Sequence, residues 1–209
     1  MKNYVTEFIG TFFLVLTVGL TVIGASPMAP LAIGCSLMIM VYMGGHISGG
    51  HYNPAVSFGL MLRGKLPAGE FVPYVVAQLL GSLTAAWVAW VVTGQTFAPE
   101  PATSATALQA LVIEIVFTFA LVLVVLNTAT HAAVKGNSFY GLAIGFTIVV
   151  AAFAGGPISG GAFNPAVGTG PTVFHALMGS GTWKHLWLYI VGPLAGGAVA
   201  AGVFGLQEG

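Results

Sequence analysis

Two asparagines, Asn53 and Asn164, stand at the same point of a stretch that occurs twice in the chain. Residues 46–56 and 157–167 agree at eight of eleven positions at an offset of 111 residues. Asparagine is a strong helix N-cap because its side-chain oxygen accepts N–H groups of the first turn. An asparagine that caps with its oxygen can still donate from its NH2 group. Two such helix starts, each with a positive dipole end and a free amide donor, could face one another.

The residues around each asparagine extend the motif. Pro54 and Ala55 follow the first asparagine, and Pro165 and Ala166 follow the second. Proline fits the first helical position, where its missing N–H costs nothing. The preceding Ser-Gly-Gly is predicted to be extended backbone with bare carbonyls. One Asn-Pro-Ala tripeptide is usually only a capped surface helix, but its duplication in so hydrophobic a chain favours a functional pair.

The composition excludes a soluble domain and several kinds of site. Of the 209 residues, 57% are hydrophobic and 5% are charged, whereas soluble domains carry about 25% charged residues. The chain therefore belongs in a lipid bilayer. Five basic residues balance five acidic ones, so no basic patch suggests nucleic-acid binding. The single cysteine, Cys35, excludes an internal disulfide and a cysteine metal cluster.

The hydrophobic runs predict an all-α membrane protein with six transmembrane helices and two re-entrant half-helices. Glu7 and Glu114, in similar surroundings at an offset of 107, extend the repeat into the spans. We expect one domain, 1–209, with internal repeats over about 1–95 and 106–209. Each half holds an odd number of spans, so the halves form an inverted repeat. The predicted spans are 4–24, 31–45, 70–93, 107–128, 139–155 and 183–206, and the half-helices are 53–62 and 164–176.

The re-entrant stretches and the charges predict a polar path and an orientation. Irregular backbone at membrane depth survives only where it is buried or lines a cavity. The positive-inside rule places Lys2, Arg63, Lys65 and Lys135 in the cytoplasm and Lys184 outside. Both termini are then cytoplasmic.

With its paired motifs and inverted halves, the chain resembles the aquaporin family, also called major intrinsic proteins, over nearly its whole length. The resemblance implies that Asn53 and Asn164 are paired donors at the midplane of one pore. It also implies a homotetramer with one pore per subunit, and no cofactor is expected. Backbone carbonyls are expected to line the pore, here those of Gly49, Gly50, His51, Gly160, Gly161 and Ala162.

Two groups of titratable residues have competing interpretations. Glu7 and Glu114 either couple transport to protons or brace the re-entrant loops as buried acceptors. Their equivalent positions in the repeat, and the family, favour the structural role. His46 and His51 flank a glycine pair without nearby acids, so packing is favoured over metal binding, and no metal site is expected.

The residue after the second motif departs from the family pattern. Most members carry an arginine there, in the outer selectivity filter, but this chain has Val167. Its single arginine, Arg63, lies in a predicted cytoplasmic turn. Alignment to the family places the other filter positions at Ile33, Ala152 and Gly161. All four are apolar or small, which predicts a wide, apolar outer pore.

These observations predict a passive channel, not an enzyme, for water and small uncharged solutes such as glycerol, urea or undissociated metalloid acids. The alternative is a proton-coupled secondary transporter of a small neutral solute. An intramembrane enzyme has no support, because no nucleophile–base pair or metal cluster occurs at the midplane. The expected location is the cell membrane of a prokaryote.

Overall fold

The computed structural model describes residues 1–179 and 181–208. Within them, six α-helices are long and apolar enough to cross a membrane, and two further α-helices are short. In chain order the helices are α1 (Lys2–Ile23), α2 (Ala29–Ser48), α3 (Pro54–Leu62), α4 (Ala68–Thr93), α5 (Ala107–Val125), α6 (Tyr140–Ser159), α7 (Pro165–Leu177) and α8 (Leu188–Glu208). A π-turn, Leu126–Thr130, continues α5. The prediction of six spans with two half-helices, α3 and α7, is confirmed.

The two helices that lead into the repeated motifs are longer than predicted. α2 runs to Ser48 and α6 to Ser159, instead of ending at residues 45 and 155. Gly49 and Gly160 then end them in the left-handed conformation, with φ of 93° and 87°, which costs a residue without a Cβ little. The non-helical breaks are therefore only 49–53 and 160–164, shorter than ends at 45 and 155 would leave. The expectation of an extended Ser-Gly-Gly is wrong, because the serine is helical and both glycines have positive φ.

Corresponding helix pairs pack closely in both halves. A Cβ on Gly81 of α4 would lie 2.4 Å from the Phe8 carbonyl oxygen of α1. A Cβ on Gly196 of α8 would lie 2.4 Å from the Ile115 carbonyl oxygen of α5. Glycine thus lets α4 meet α1, and α8 meet α5, at backbone distance, as small residues do between membrane helices.

One of the contacts between the two halves is the crossing of α2 and α6. A Cβ on Gly34 would lie 2.5 Å from the Gly145 carbonyl oxygen, and a Cβ on Gly145 would lie 2.5 Å from the Gly34 carbonyl oxygen. The contact is reciprocal, as an inverted repeat requires. It brings α2 and α6 together, and both helices line the same lumen as α3 and α7.

The connection between α4 and α5 crosses one end of the helix bundle and contacts three other elements there. Phe97 packs directly on Gly19 of α1, and the Thr96 hydroxyl lies 2.6 Å from Nδ1 of His175. The Glu100 carboxyl group contacts Nδ1 of His185, in the connection that precedes α8. Three elements far apart in sequence are therefore held together at this end.

Candidate functional site

The half-helices begin with matching caps. Asn53 precedes α3 and Asn164 precedes α7, both in extended conformation. The Asn53 side-chain oxygen accepts the Ala55 N–H at 2.8 Å, and the Asn164 oxygen accepts the Ala166 N–H at 2.9 Å. These are the caps that the Asn-Pro-Ala sequence predicts. Both asparagines are 3% exposed, so the helix starts meet inside the protein.

Each asparagine also bonds to the opposite half. Nδ2 of Asn53 donates to the Phe163 carbonyl, and Nδ2 of Asn164 donates to the Tyr52 carbonyl, both at 2.9 Å. Tyr52 and Phe163 have φ of 50° and 48°, which is uncommon for residues with a side chain. An amide NH2 carries two hydrogens. One hydrogen of each asparagine bonds to the opposite half, and the other is free to donate to a solute in the lumen. Sequence reasoning missed this cross-bond, and no local signal shows it.

Glu7 collects the donors of the first re-entrant loop. Its Oε1 accepts the Ser48 hydroxyl at 2.6 Å and the His51 N–H at 3.0 Å. Its Oε2 accepts the Tyr52 N–H at 2.7 Å and Nε2 of Gln78 at 2.9 Å. Four donors surround a fully buried carboxylate, which is how a buried charge is accommodated.

Glu114 has the equivalent place in the second half. It accepts the Ser159 hydroxyl at 2.7 Å, the Ala162 N–H at 3.1 Å and the Phe163 N–H at 2.6 Å. Like its counterpart, it is fully buried. Neither glutamate is among the described residues that line the lumen. The geometry is that of a brace, and the role remains a prediction.

Two tyrosines support the same loops from α4 and α8. The Tyr74 hydroxyl donates to the Ser48 carbonyl at 2.7 Å, and the Tyr189 hydroxyl donates to the Ser159 carbonyl at 2.5 Å. Both bonds satisfy carbonyls at helix ends, which otherwise lack partners. The sequence gives a signal for this pair, because the two tyrosines share an offset of 115 residues.

The lumen runs past both asparagines and all four predicted filter residues, Ile33, Ala152, Gly161 and Val167. None of the described residues lining it is Lys, Arg, Asp or Glu. Its volume is about 30 Å³, room for roughly two water molecules. The filter side chains are apolar or small, yet the lumen holds little free volume. Aliphatic side chains from four long helices close it, among them Leu14, Leu37, Leu121 and Ile148.

The lumen opens at one end into a basic vestibule of about 630 Å³, whose lining includes Lys65, Lys135 and His131. Of the six residues whose carbonyls were expected to line the pore, four line the lumen. These are Gly50, His51, Gly161 and Ala162. Gly49 lines the basic vestibule instead. Gly160 packs against the backbone of Glu100: a Cβ added to Gly160 would lie 2.6 Å from the Glu100 carbonyl oxygen.

The histidines lie in several places. His46 and His131 line the basic vestibule, whereas His175 and His185 lie at the opposite end of the bundle. Over residues 1–179 and 181–208, no group of three or more His, Cys, Asp or Glu is placed to hold a metal ion.

The sequence matches the Major intrinsic protein family over residues 1–204. The chain belongs to this family. The channels it resembles include Aquaporin NIP1-1 of Zea mays, 35% identical over 99% of this chain and 74% of that one. Another is probable aquaporin TIP2-2 of Oryza sativa, 37% identical over 98% of this chain and 86% of that one. These matches confirm the predicted family and the prediction of a multi-pass membrane protein. They also confirm the predicted class of function, a passive channel for water and small solutes.

The relatives correct the expected host, and a solved structure confirms the predicted fold. These two relatives, and aquaporin NIP1-4 of Oryza sativa, are plant proteins, which argues against the expectation of a prokaryotic host. Among solved structures, the aquaglyceroporin from Plasmodium falciparum superposes with a TM-score of 0.83 at 24% identity. The match covers 97% of this chain and 94% of that one. At this identity the likeness shows the fold alone, and the predicted inverted-repeat fold is confirmed.

Proposed function

We propose that this channel conducts glycerol, urea or undissociated metalloid acids as well as water, and excludes ions. The observation that carries the proposal is a lumen without Lys, Arg, Asp or Glu among its described residues, crossed by the amides of Asn53 and Asn164. An ion that enters it loses hydration without gaining a counter-charge. The positive starts of α3 and α7 converge there and oppose cations. A neutral solute meets amide donors, loop carbonyls and aliphatic walls.

The filter residues support solutes larger than water. Val167 supplies neither the charge nor the fixed donors of an arginine, and Ile33 and Ala152 make the remaining side-chain wall apolar. Apolar walls suit the carbon faces of glycerol better than they suit water. Because the lumen holds only about 30 Å³, passage of a solute requires the aliphatic side chains that line it to move aside.

The transporter alternative has less support. A proton-coupling carboxylate must reach the solute path and exchange its proton, but Glu7 and Glu114 are 0% exposed. Their oxygens are occupied by loop donors. The geometry therefore favours a passive pore without catalysis.

The proposal includes assembly and orientation. A homotetramer is proposed from family membership, with one lumen per subunit. Cytoplasmic termini are proposed from the basic residues, since Lys65 and Lys135 lie at one vestibule. Arg63, in the same turn as Lys65, bonds Glu208 near the end of α8 at 2.5 Å.

The test compares wild type with Val167→Arg in reconstituted vesicles. Stopped-flow light scattering measures osmotic water permeability and glycerol permeability for each protein. We expect wild type to pass both, and Val167→Arg to reduce glycerol by roughly tenfold or more relative to water, the discrimination that about 1–3 kcal/mol provides. Val167→Met is the matched control, because it adds length without charge.

The proposal fails if wild type passes water but excludes every larger solute tested. It also fails if Val167→Arg reduces water and glycerol by the same factor. Equal suppression by Val167→Met would show that length, and not charge or fixed donors, controls the filter.

A further inference from the structure

Four residues line both the lumen and the basic vestibule, and so form the neck between the two cavities. They are Gly50, His51, Val125 and Ile144, here called the inner ring. The lumen is narrow and the vestibule is some twenty times larger in volume. A solute that travels between them must pass this ring.

The inner ring has a counterpart at the filter end of the lumen. The offset of 111 residues relates three of its members to residues of the other half, and the offset of 107 relates Val125 to its own counterpart. The counterparts, here called the outer ring, are Gly161, Ala162, Ile33 and Val18, and all four line the lumen. Val56 and Val167 are also repeat counterparts that line it. Without an arginine at 167, the two ends are therefore nearly equal in chemistry.

The rings differ in residue type at one pair of repeat counterparts: the inner ring has His51 where the outer ring has Ala162. The His51 ring is held in place, with Nδ1 3.0 Å from the Ser57 hydroxyl and its centre 5.1 Å from the Tyr74 ring. Nε2 lies beside Gly49, which lines the basic vestibule. Nε2 has no hydrogen-bond partner within the described residues. The inner ring is thus bulkier, and it alone has an imidazole.

From this we infer that the inner ring, with His51 as its polar member, is the constriction that discriminates among solutes. Two constrictions in series add their resistances, so the narrower one sets the flux. The rings share an isoleucine, a valine and a glycine, and histidine is far larger than alanine. An imidazole nitrogen also exchanges hydrogen bonds with a polar solute. The inference rests on the proposed passage of small solutes and adds where they are selected.

The first experiment uses the matched isoleucines. Wild type, Ile144→Ala and Ile33→Ala are reconstituted, and glycerol and water permeabilities are measured by stopped-flow light scattering. Removing bulk from the limiting ring is expected to raise glycerol permeability by roughly tenfold, the lower end of what a few methylenes decide in an apolar site. Ile33→Ala is expected to raise it by a smaller factor. Leu142→Ala, exposed on the outer face of α6, controls for substitution in that helix.

The second experiment moves the histidine. In the double variant His51→Ala/Ala162→His, the bulky polar side chain lies in the outer ring, so Ile33→Ala is expected to become the stronger of the two isoleucine changes. Monodispersity in detergent and retained water flux report folding. If the double variant does not fold, the isoleucine pair in the wild-type background still decides the matter.

Equal effects of the two isoleucine variants, or a larger effect of Ile33→Ala, would overturn the inference. A wild type that passes only water would instead refute the proposed solute range. The inner ring would still be tested then, because Ile144→Ala should admit glycerol and Ile33→Ala should not.

Discussion

Removing the Glu114 side-chain oxygens by Glu114→Ala should destabilise the second re-entrant loop more than replacing the carboxylate with a neutral amide by Glu114→Gln. Glu114→Ala leaves the Ala162 and Phe163 N–H groups buried without their acceptor. The Ser159 hydroxyl can still turn to the Gly155 carbonyl, 3.5 Å away. Two unsatisfied N–H groups at about 1–3 kcal/mol each give a loss of roughly 2–6 kcal/mol.

Glu114→Gln keeps one acceptor oxygen. If that oxygen serves Ala162 and Ser159, the new NH2 faces only the Phe163 N–H. One unsatisfied N–H gives a loss of about 1–3 kcal/mol. We therefore expect the order wild type, Glu114→Gln, Glu114→Ala in apparent melting temperature.

The assay is thermal unfolding of the purified protein in detergent, followed by water flux in vesicles for each variant. A melting temperature and a flux that stay unchanged in Glu114→Ala would refute the brace. Normal stability together with lost pH-driven uptake would favour the proton-coupled transporter.

Two further predictions concern the midplane and the contact between the halves. Asn53→Asp and Asn164→Asp each place a negative charge beside the positive helix starts. We expect these variants to show cation currents in planar bilayers and a lower flux of neutral solutes. Currents and flux equal to those of wild type would show that the two asparagines do not line the solute path. Gly34→Ala places a Cβ 2.3 Å from a methyl carbon of Val149, so we expect a loss of about 1–3 kcal/mol from overpacking. Gly202→Ala, whose Cβ meets nothing within 4 Å, should not lower the melting temperature, and an equal loss in both would contradict the close crossing.

The helix starts could be predicted because their determinants are local. Asn-Pro-Ala contains the cap and the first helical residues of α3 and α7. α5 begins at Ala107 as predicted, where Thr106 and Gln109 form a capping box. The ends of α2 and α6 could not be placed, because Ser48 and Ser159 are held by buried glutamates distant in sequence.

The width of the pore was the hardest feature to predict. Apolar or small residues at the four filter positions predict a wide outer pore, whereas the whole lumen holds about 30 Å³. Its width depends on aliphatic side chains such as Leu14 and Leu121, which come from different helices. A sequence pattern gives their identities but not how far they converge.

The central claim is that solutes cross by passive permeation, and the initial rate of glycerol entry tests it most directly. The rate is measured in proteoliposomes over a wide range of glycerol gradients, with and without an imposed pH gradient. A passive pore predicts a rate that rises in proportion to the glycerol gradient and does not respond to pH difference. A rate that saturates and follows the proton gradient would contradict the account.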